Sequence, residues 1–249
     1  LAGSKAQVYV ETQATTPKGK AGARLAVRLL DANGRAVAQK NLTANAQGTA
    51  AVQLNVANAK AWSPEQPYLY TLEVSLYQGN KLADRLRQRV GIRTVAVSKE
   101  HGFQLNGQSR KFKGVCLHHD LGPLGAAVNR AAIIRQIRLM KDMGVDAIRT
   151  SHNMPSQMQM QVCDSMGMMV MAESFDAWKE PKVKNGYNLF YDQWWRKDLE
   201  NLIRGHRNHP SIVMWSIGNE IPEQWNKEGA QRAKDMTDYC HQLDNTRPV

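Results

Sequence analysis

Cysteine is scarce in this 249-residue chain: there are three, Cys116, Cys163 and Cys240. They lie far apart and form no CxxC pair. That excludes a disulfide framework and a thiolate zinc site, and it reads them as small buried hydrophobes. No apolar run approaches the ~18 residues that a membrane helix needs. The N-terminal "LAGSKAQVYVETQ" has neither the basic start nor the apolar centre of a signal peptide. The chain starts at Leu and not Met, so it is expected to be a segment of a longer protein, and the missing leader says little about compartment. HExxH, GxSxG and a Rossmann glycine fingerprint are also missing, which removes the simplest metalloprotease, serine-hydrolase and dinucleotide readings.

Acidic residues are the other shortage, with 22 Asp and Glu against 33 Lys and Arg for a net charge of +11. The excess is uneven: residues 1–97 hold 13 basic and 5 acidic side chains, residues 98–249 hold 20 and 17. In "RLAVRLL" and "DRLRQRV" the basic residues alternate with apolar ones, the pattern of the solvent face of a half-buried sheet. No nucleic-acid motif accompanies them. The expected partners therefore include no nucleic acid and no membrane.

Two periods are present. Up to about residue 97 apolar residues recur every second position, as in Leu25, Val27, Leu29 and in Val52, Leu54, Val56, with turns at "DANGR", "AQG" and "QGN". Short strands at that spacing predict an immunoglobulin-like β-sandwich over residues 1–97. From residue 111 strands alternate with amphipathic helices. "NRAAIIRQIRLMKDMG" has an N-cap at Asn129, one face of Ile133, Ile137 and Met140, and a stop at Gly144. Four such βα units predict a parallel sheet over residues 98–249, either doubly wound or the first part of a TIM barrel.

The strand ends favour the barrel. One ends in His118-His119-Asp120, the next in Ser151-His152-Asn153, the third in Glu173 with Asp176 beyond, the fourth, "SIVMWSIGNE", in Asn219-Glu220. In a parallel βα array these ends share one face, where such folds place their chemistry. A single polar residue there is usually structural, but four clusters in register point to a site. "HHD" is the best metal candidate and lacks a close-spaced partner. Carboxylates, an amide and the loop tryptophans Trp178 and Trp225 suit glycoside hydrolysis, with a tryptophan stacking on a sugar or anchoring its loop.

The segments "AWSPEQPYLYTLEVSLYQG", "FKGVCLHHD", "MGVDAIRTSHN", "CDSMGMMVMAESFD" and "RNHPSIVMWSIGNE" together resemble glycoside hydrolase family 2, from about residue 60 onward. The resemblance implies a sandwich followed by about four βα units of a TIM barrel. It also implies a retaining mechanism on terminal β-glycosides with Glu220 as general acid/base. Asn219, His152, Asp120 and Glu173 would line or support the sugar pocket, with the loop aromatic Trp178 counted among the substrate-binding candidates on its own chemistry. Where many relatives have Asp before the third-strand Glu, this chain has Ala172. "GNE" is closer to the β-galactosidase branch than the "ANE" of many glucuronidases, which points to β-galactosides; β-glucuronidase or β-mannosidase chemistry is the alternative.

No cofactor is expected, the family's divalent or sodium ion finding no support in these residues. The family's nucleophile falls on a later strand, so this chain is expected to be inactive alone and to self-associate through open barrel edges. A non-catalytic carbohydrate-binding segment is the rival reading.

Overall fold

The computed structural model describes residues 3–15 and 22–249. They divide into two compact units, Leu1–Trp62 with Tyr68–Arg93, and Ser63–Pro67 with Thr94–Val249.

The first unit is a two-layer β-sandwich. One layer pairs β1 (Ala6–Gln13) with β4 (Thr49–Val56); the other runs β3 (Ala36–Thr43), β2 (Arg24–Leu30), β5 (Tyr70–Gln78), β6 (Lys81–Val90), all antiparallel. Because strand side chains alternate, Leu25, Val27 and Leu29 face Val52, Leu54 and Val56 across a core from which water is excluded. β6 closes one edge and is exposed along most of its length.

In the second unit a small meander of β7 (Val95–Ser98), β8 (Gly102–Leu105) and β9 (Gln108–Ser109) precedes the βα units. Asn106 and Gly107, both at positive φ, make its tight turn. The parallel sheet follows in the order β10 (Gly114–His118), β11 (Ala147–Ser151), β12 (Met169–Glu173), β13 (Ile212–Ser216). A doubly wound sheet reverses its strand order at a switch point; this order is strictly sequential, the winding of a TIM barrel.

Helices α1 (Arg130–Asp142), α2 (Gln157–Met166), α3 (Tyr191–His206) and α4 (Lys227–Leu243) bury apolar stripes that include Ile137, Met160, Leu199 and Met236. Asn129 caps α1 by accepting the Ala132 N–H, as the sequence predicts, and Ser156 caps α2 in the same way. Gly167 ends α2 in the left-handed region, where a Cβ would lie 2.3 Å from the Pro64 carbonyl oxygen. Two cysteines are buried as expected, and burial pushes the Cys163 thiol well up. Cys116 departs from the expectation: on the edge strand β10 it is exposed. Among the described residues no helix is long and apolar enough to cross a membrane.

Candidate active site

Glu173, at the end of β12, is wholly buried. An ionised carboxylate there costs several kcal/mol unless donors surround it. It receives Arg149 Nε from β11 at 2.5 Å, His152 Nδ1 just beyond β11 at 2.6 Å, and Ser216 Oγ from β13 at 2.6 Å. Its backbone N–H donates to Thr150 Oγ1 at 3.0 Å. One carboxylate thus ties three strand ends together and sets the His152 tautomer, with Nδ1–H facing the acid.

Arg149 also reaches β13's extension, donating from Nη2 to Asn219 Oδ1 at 3.0 Å. Asn219 Nδ2 donates to Asp176 Oδ1 at 3.1 Å. Guanidinium can only donate and carboxylate can only accept, so the Asn219 amide has one allowed orientation. Lys182 Nζ bonds the Asn219 carbonyl at 2.6 Å and Asp176 at 3.1 Å. Burial raises the Asp176 carboxyl, but the bonds from Asn219 and Lys182 outweigh it and hold the group below the usual carboxylate range.

Glu220 is built differently. It is exposed, and its backbone sits at φ 45°, a left-handed conformation rare outside glycine. Its neighbours are closely packed. A Cβ on Gly218 would lie 2.8 Å from Ile221 and 2.9 Å from Trp178 Nε1, so a larger residue would have to displace those side chains. Beyond it, Pro222–Trp225 forms a 3-10 turn held by Glu223, whose Oε1 accepts the N–H groups of Lys179 and Glu180 at 2.9 and 2.8 Å. Strained backbone held by a closely packed surround is characteristic of functional positions.

The other sequence-predicted residues are spread around this network. Asp120 is exposed beyond β10, accepting the Gly122 N–H at 2.6 Å and touching none of the groups above. His118 approaches His152 edge-to-face at 5.2 Å between ring centroids. His119 Nε2 bonds the Ala126 carbonyl at 3.0 Å. Trp178 is buried, with its indole N–H donating to the Ile217 carbonyl at 2.7 Å. That is the geometry of a loop anchor, whereas Trp225 is 88% exposed. Among the described residues no three His, Cys, Asp or Glu side chains are grouped to hold a metal ion.

Sequence reasoning missed Arg149 and Lys182. A lone arginine within the strand "AIRTS" was the available signal for the first, since a charge in a parallel strand needs a buried partner. Nothing in the sequence marked Lys182, one of several loop lysines.

Residues 95–249 match the family model "Glycosyl hydrolases family 2, TIM barrel domain", and residues 1–93 match "Glycosyl hydrolases family 2". The chain is 44% identical to the β-galactosidase BoGH2A of Bacteroides ovatus over 201 residues, covering 79% of this chain and 24% of that protein. It is 34% identical to the β-glucuronidase of Homo sapiens, covering 93% of this chain and 35% of the relative. A crystal structure of a family 2 member from Bacteroides cellulosilyticus superposes with a TM-score of 0.92 at 38% identity, over 99% of this chain and 32% of that one. The chain therefore spans about a quarter to a third of the length of such relatives. Two matched domains in order, on the sandwich and parallel-sheet units just described, establish that the chain belongs to glycosyl hydrolase family 2.

Proposed function

We propose that the second unit carries the acid/base half of a retaining β-glycosidase site, with Glu220 as general acid/base and β-galactosides as substrates. The observation that carries this reading is the contrast between Glu220 and its neighbours. Glu173, Asp176 and Glu223 are each engaged by protein donors, while Glu220 is exposed on a strained, closely flanked backbone at the C-terminal end of a barrel strand. A proton donor to a leaving-group oxygen needs such an accessible carboxyl.

In this reading Asn219 offers the second hydrogen of its fixed amide to the sugar hydroxyl next to the anomeric carbon. His152 and Asp120 line the sugar, Glu173 orients His152 and Arg149, and Trp178 supports the pocket from beneath. No cofactor takes part. The nucleophile, about 5–5.5 Å from the acid/base in a retaining enzyme, comes from a part of the barrel outside these residues, so the 249-residue chain alone is inactive. It self-associates as well: β10 and β13 are edge strands, and a cleft of about 160 Å³ lined by Gly114, Cys116, Met171 and Val213 leaves apolar surface open. The galactoside assignment rests on the "GNE" strand end and on the β-galactosidase named among the relatives.

The test is Glu220→Gln in a chain long enough to close the barrel. Turnover of alkyl β-galactosides should fall by roughly 10²-fold or more, and turnover of dinitrophenyl β-galactoside far less, because that leaving group needs no proton. Equal losses on both would reject the acid/base role. Faster turnover of β-glucuronides by the unaltered enzyme would reject the galactoside assignment.

A further inference from the structure

The basic excess of the first unit is not scattered over its surface. Direct cross-strand pairing places residues on the same face of a sheet. Arg24 pairs with Tyr77, Arg28 with Glu73, Glu73 with Arg87, Ser75 with Arg85 and Thr71 with Arg89. Five arginines from β2 and β6 therefore share the outer face of the four-stranded sheet with one acid, Glu73.

That acid organises the face. Glu73 is 1% exposed because the arginine side chains cover it. Its Oε1 takes Arg28 Nη1 at 3.2 Å, and its Oε2 takes Arg87 Nε at 2.7 Å with Arg85 Nε at 3.7 Å. Burial opposes ionisation, yet the three guanidiniums hold the carboxyl below its usual range, so it stays an anion. Arg85 Nε also donates to Ser75 Oγ at 3.3 Å. In Arg85 and Arg87 the Nε edge is thus turned to the protein. Their Nη ends have no protein partner among the described residues, and both side chains stay open to solvent, at 39% and 60%. Arg85, Arg87 and Arg89 alternate along an edge strand, which spaces them by about 6.8 Å. One buried anion cannot neutralise five cations.

We propose that this face binds an acidic polysaccharide, with its carboxylate or sulfate groups seated on the outward forks of Arg85, Arg87 and Arg89. Guanidinium forks match planar or tetrahedral oxyanions bidentately, and a row of them matches a polymer with regularly spaced charges. The face favours a glycan over a nucleic acid. Its aromatic ring, Tyr77, lies under the Arg24 guanidinium at 5.6 Å and offers no open platform for a base, and the chain belongs to a family of glycosidases. The inference is independent of the barrel site, since it concerns the sandwich alone.

Binding of the 249-residue chain to fluorescein-labelled polygalacturonate and dextran sulfate, with uncharged dextran and duplex DNA alongside, tests it. The acidic glycans should bind and dextran should not, and affinity should weaken roughly twenty- to fortyfold between ~50 and ~200 mM salt for about three contacts. The two glycans separate carboxylate from sulfate recognition. Arg85→Gln with Arg89→Gln leaves Arg28 and Arg87 on Glu73 and should lower affinity by at least about fivefold. Arg135→Gln with Arg138→Gln, which removes the same charge from α1, should leave it within about twofold. An equal loss in both double variants would reduce the effect to net charge and overturn the proposal. Tighter binding of duplex DNA than of either glycan would overturn the partner class, and no glycan binding at ~50 mM salt would overturn the site.

Discussion

At the C-terminal end of the parallel sheet Glu173 gathers Arg149, His152 and Ser216, and Asn219 is fixed between Arg149 and Asp176. At the opposite end Asp164 of α2 takes His209 Nδ1 at 2.5 Å, Ser211 N–H at 3.0 Å and Ser211 Oγ at 2.6 Å, just before β13 begins. Both are buried carboxylates saturated by donors. They differ in what lies next to them. Beyond the upper network stands an exposed carboxylate on strained backbone; beyond the lower one the groups pair with further protein groups. Arg247 there donates to the Ile212, Arg207 and His209 carbonyls and pairs with Asp244, which also accepts the Trp215 indole. A polar network that uses up all its groups fixes a fold. One that leaves a reactive group outside can do chemistry, which matches the general division of labour between the two ends of a barrel.

The largest effect is expected where the lower network is cut. Gln157 Nε2 donates to the Gly205 carbonyl at 2.6 Å, which turns its Oε1 to His209 Nε2 at 2.9 Å. Both His209 nitrogens are thus engaged, Nδ1 by Asp164 and Nε2 by Gln157. Asp164→Ala leaves His209 Nδ1, Ser211 N–H and Ser211 Oγ without their buried acceptor, which should cost the second unit about 3–5 kcal/mol at ~1–3 kcal/mol for each unsatisfied group. Urea unfolding followed by circular dichroism should show that unit's transition moving to lower denaturant while the sandwich transition stays in place. A loss below about 1 kcal/mol would mean that the two ends do not differ in the way their geometry indicates.

A somewhat smaller effect should appear with acid. His206, buried and tilted against His209 with ring centroids 5.7 Å apart, is pulled from 6.5 to about 4, first by burial and then by the neighbouring His209, against the Asp164 charge. The folded state therefore keeps His206 neutral where the unfolded chain protonates it. Stability from this group is intact above pH ~6.5 and is lost as pH falls toward ~4, by about 3 kcal/mol in all. His206→Gln should flatten that part of the stability–pH curve. An unchanged slope in the variant would assign the acid sensitivity to the carboxylates instead.

Much of the contrast was legible before any coordinates. Strand ends in the sequence pick out Glu173, His152, Asn219 and Glu220 because a parallel array must bring them to one face. The sandwich was equally plain, since the period-two runs of β2 and β4 bury the side chains that alternation selects. Arg149 escaped because its role depends on distance across strands and not on spacing along one. The choice between stacking and anchoring at Trp178 stayed open for a related reason: a loop aromatic does one or the other according to the three-dimensional course of its loop. The lower network was invisible altogether, as "RNHPS" and "QVCDSMG" reveal their pairing only once α2 lies against the entry to β13. The arginine face was half seen. Its alternation was plain, but the registry that lines β2, β5 and β6 up around Glu73 was not.

The smallest expected effect also has the unusual sign. If the upper end is arranged for chemistry, some of its stability should be recoverable at Glu220, held at φ 45° where a Cβ is disfavoured by about 1–2 kcal/mol. Glu220→Gly removes that strain and adds unfolded-state entropy worth about 0.5–1 kcal/mol, so the net gain should be from near zero to about 1.5 kcal/mol. Glu220→Ala keeps the Cβ and should gain nothing, which isolates the backbone from the lost carboxyl. The exposed side chain has no protein hydrogen bond to forfeit among the described residues. Thermal unfolding of the two variants side by side reads the difference directly. If glycine proves less stable than alanine, the left-handed conformation is not strained, and the contrast between a fully committed lower network and a strained upper one loses its best support.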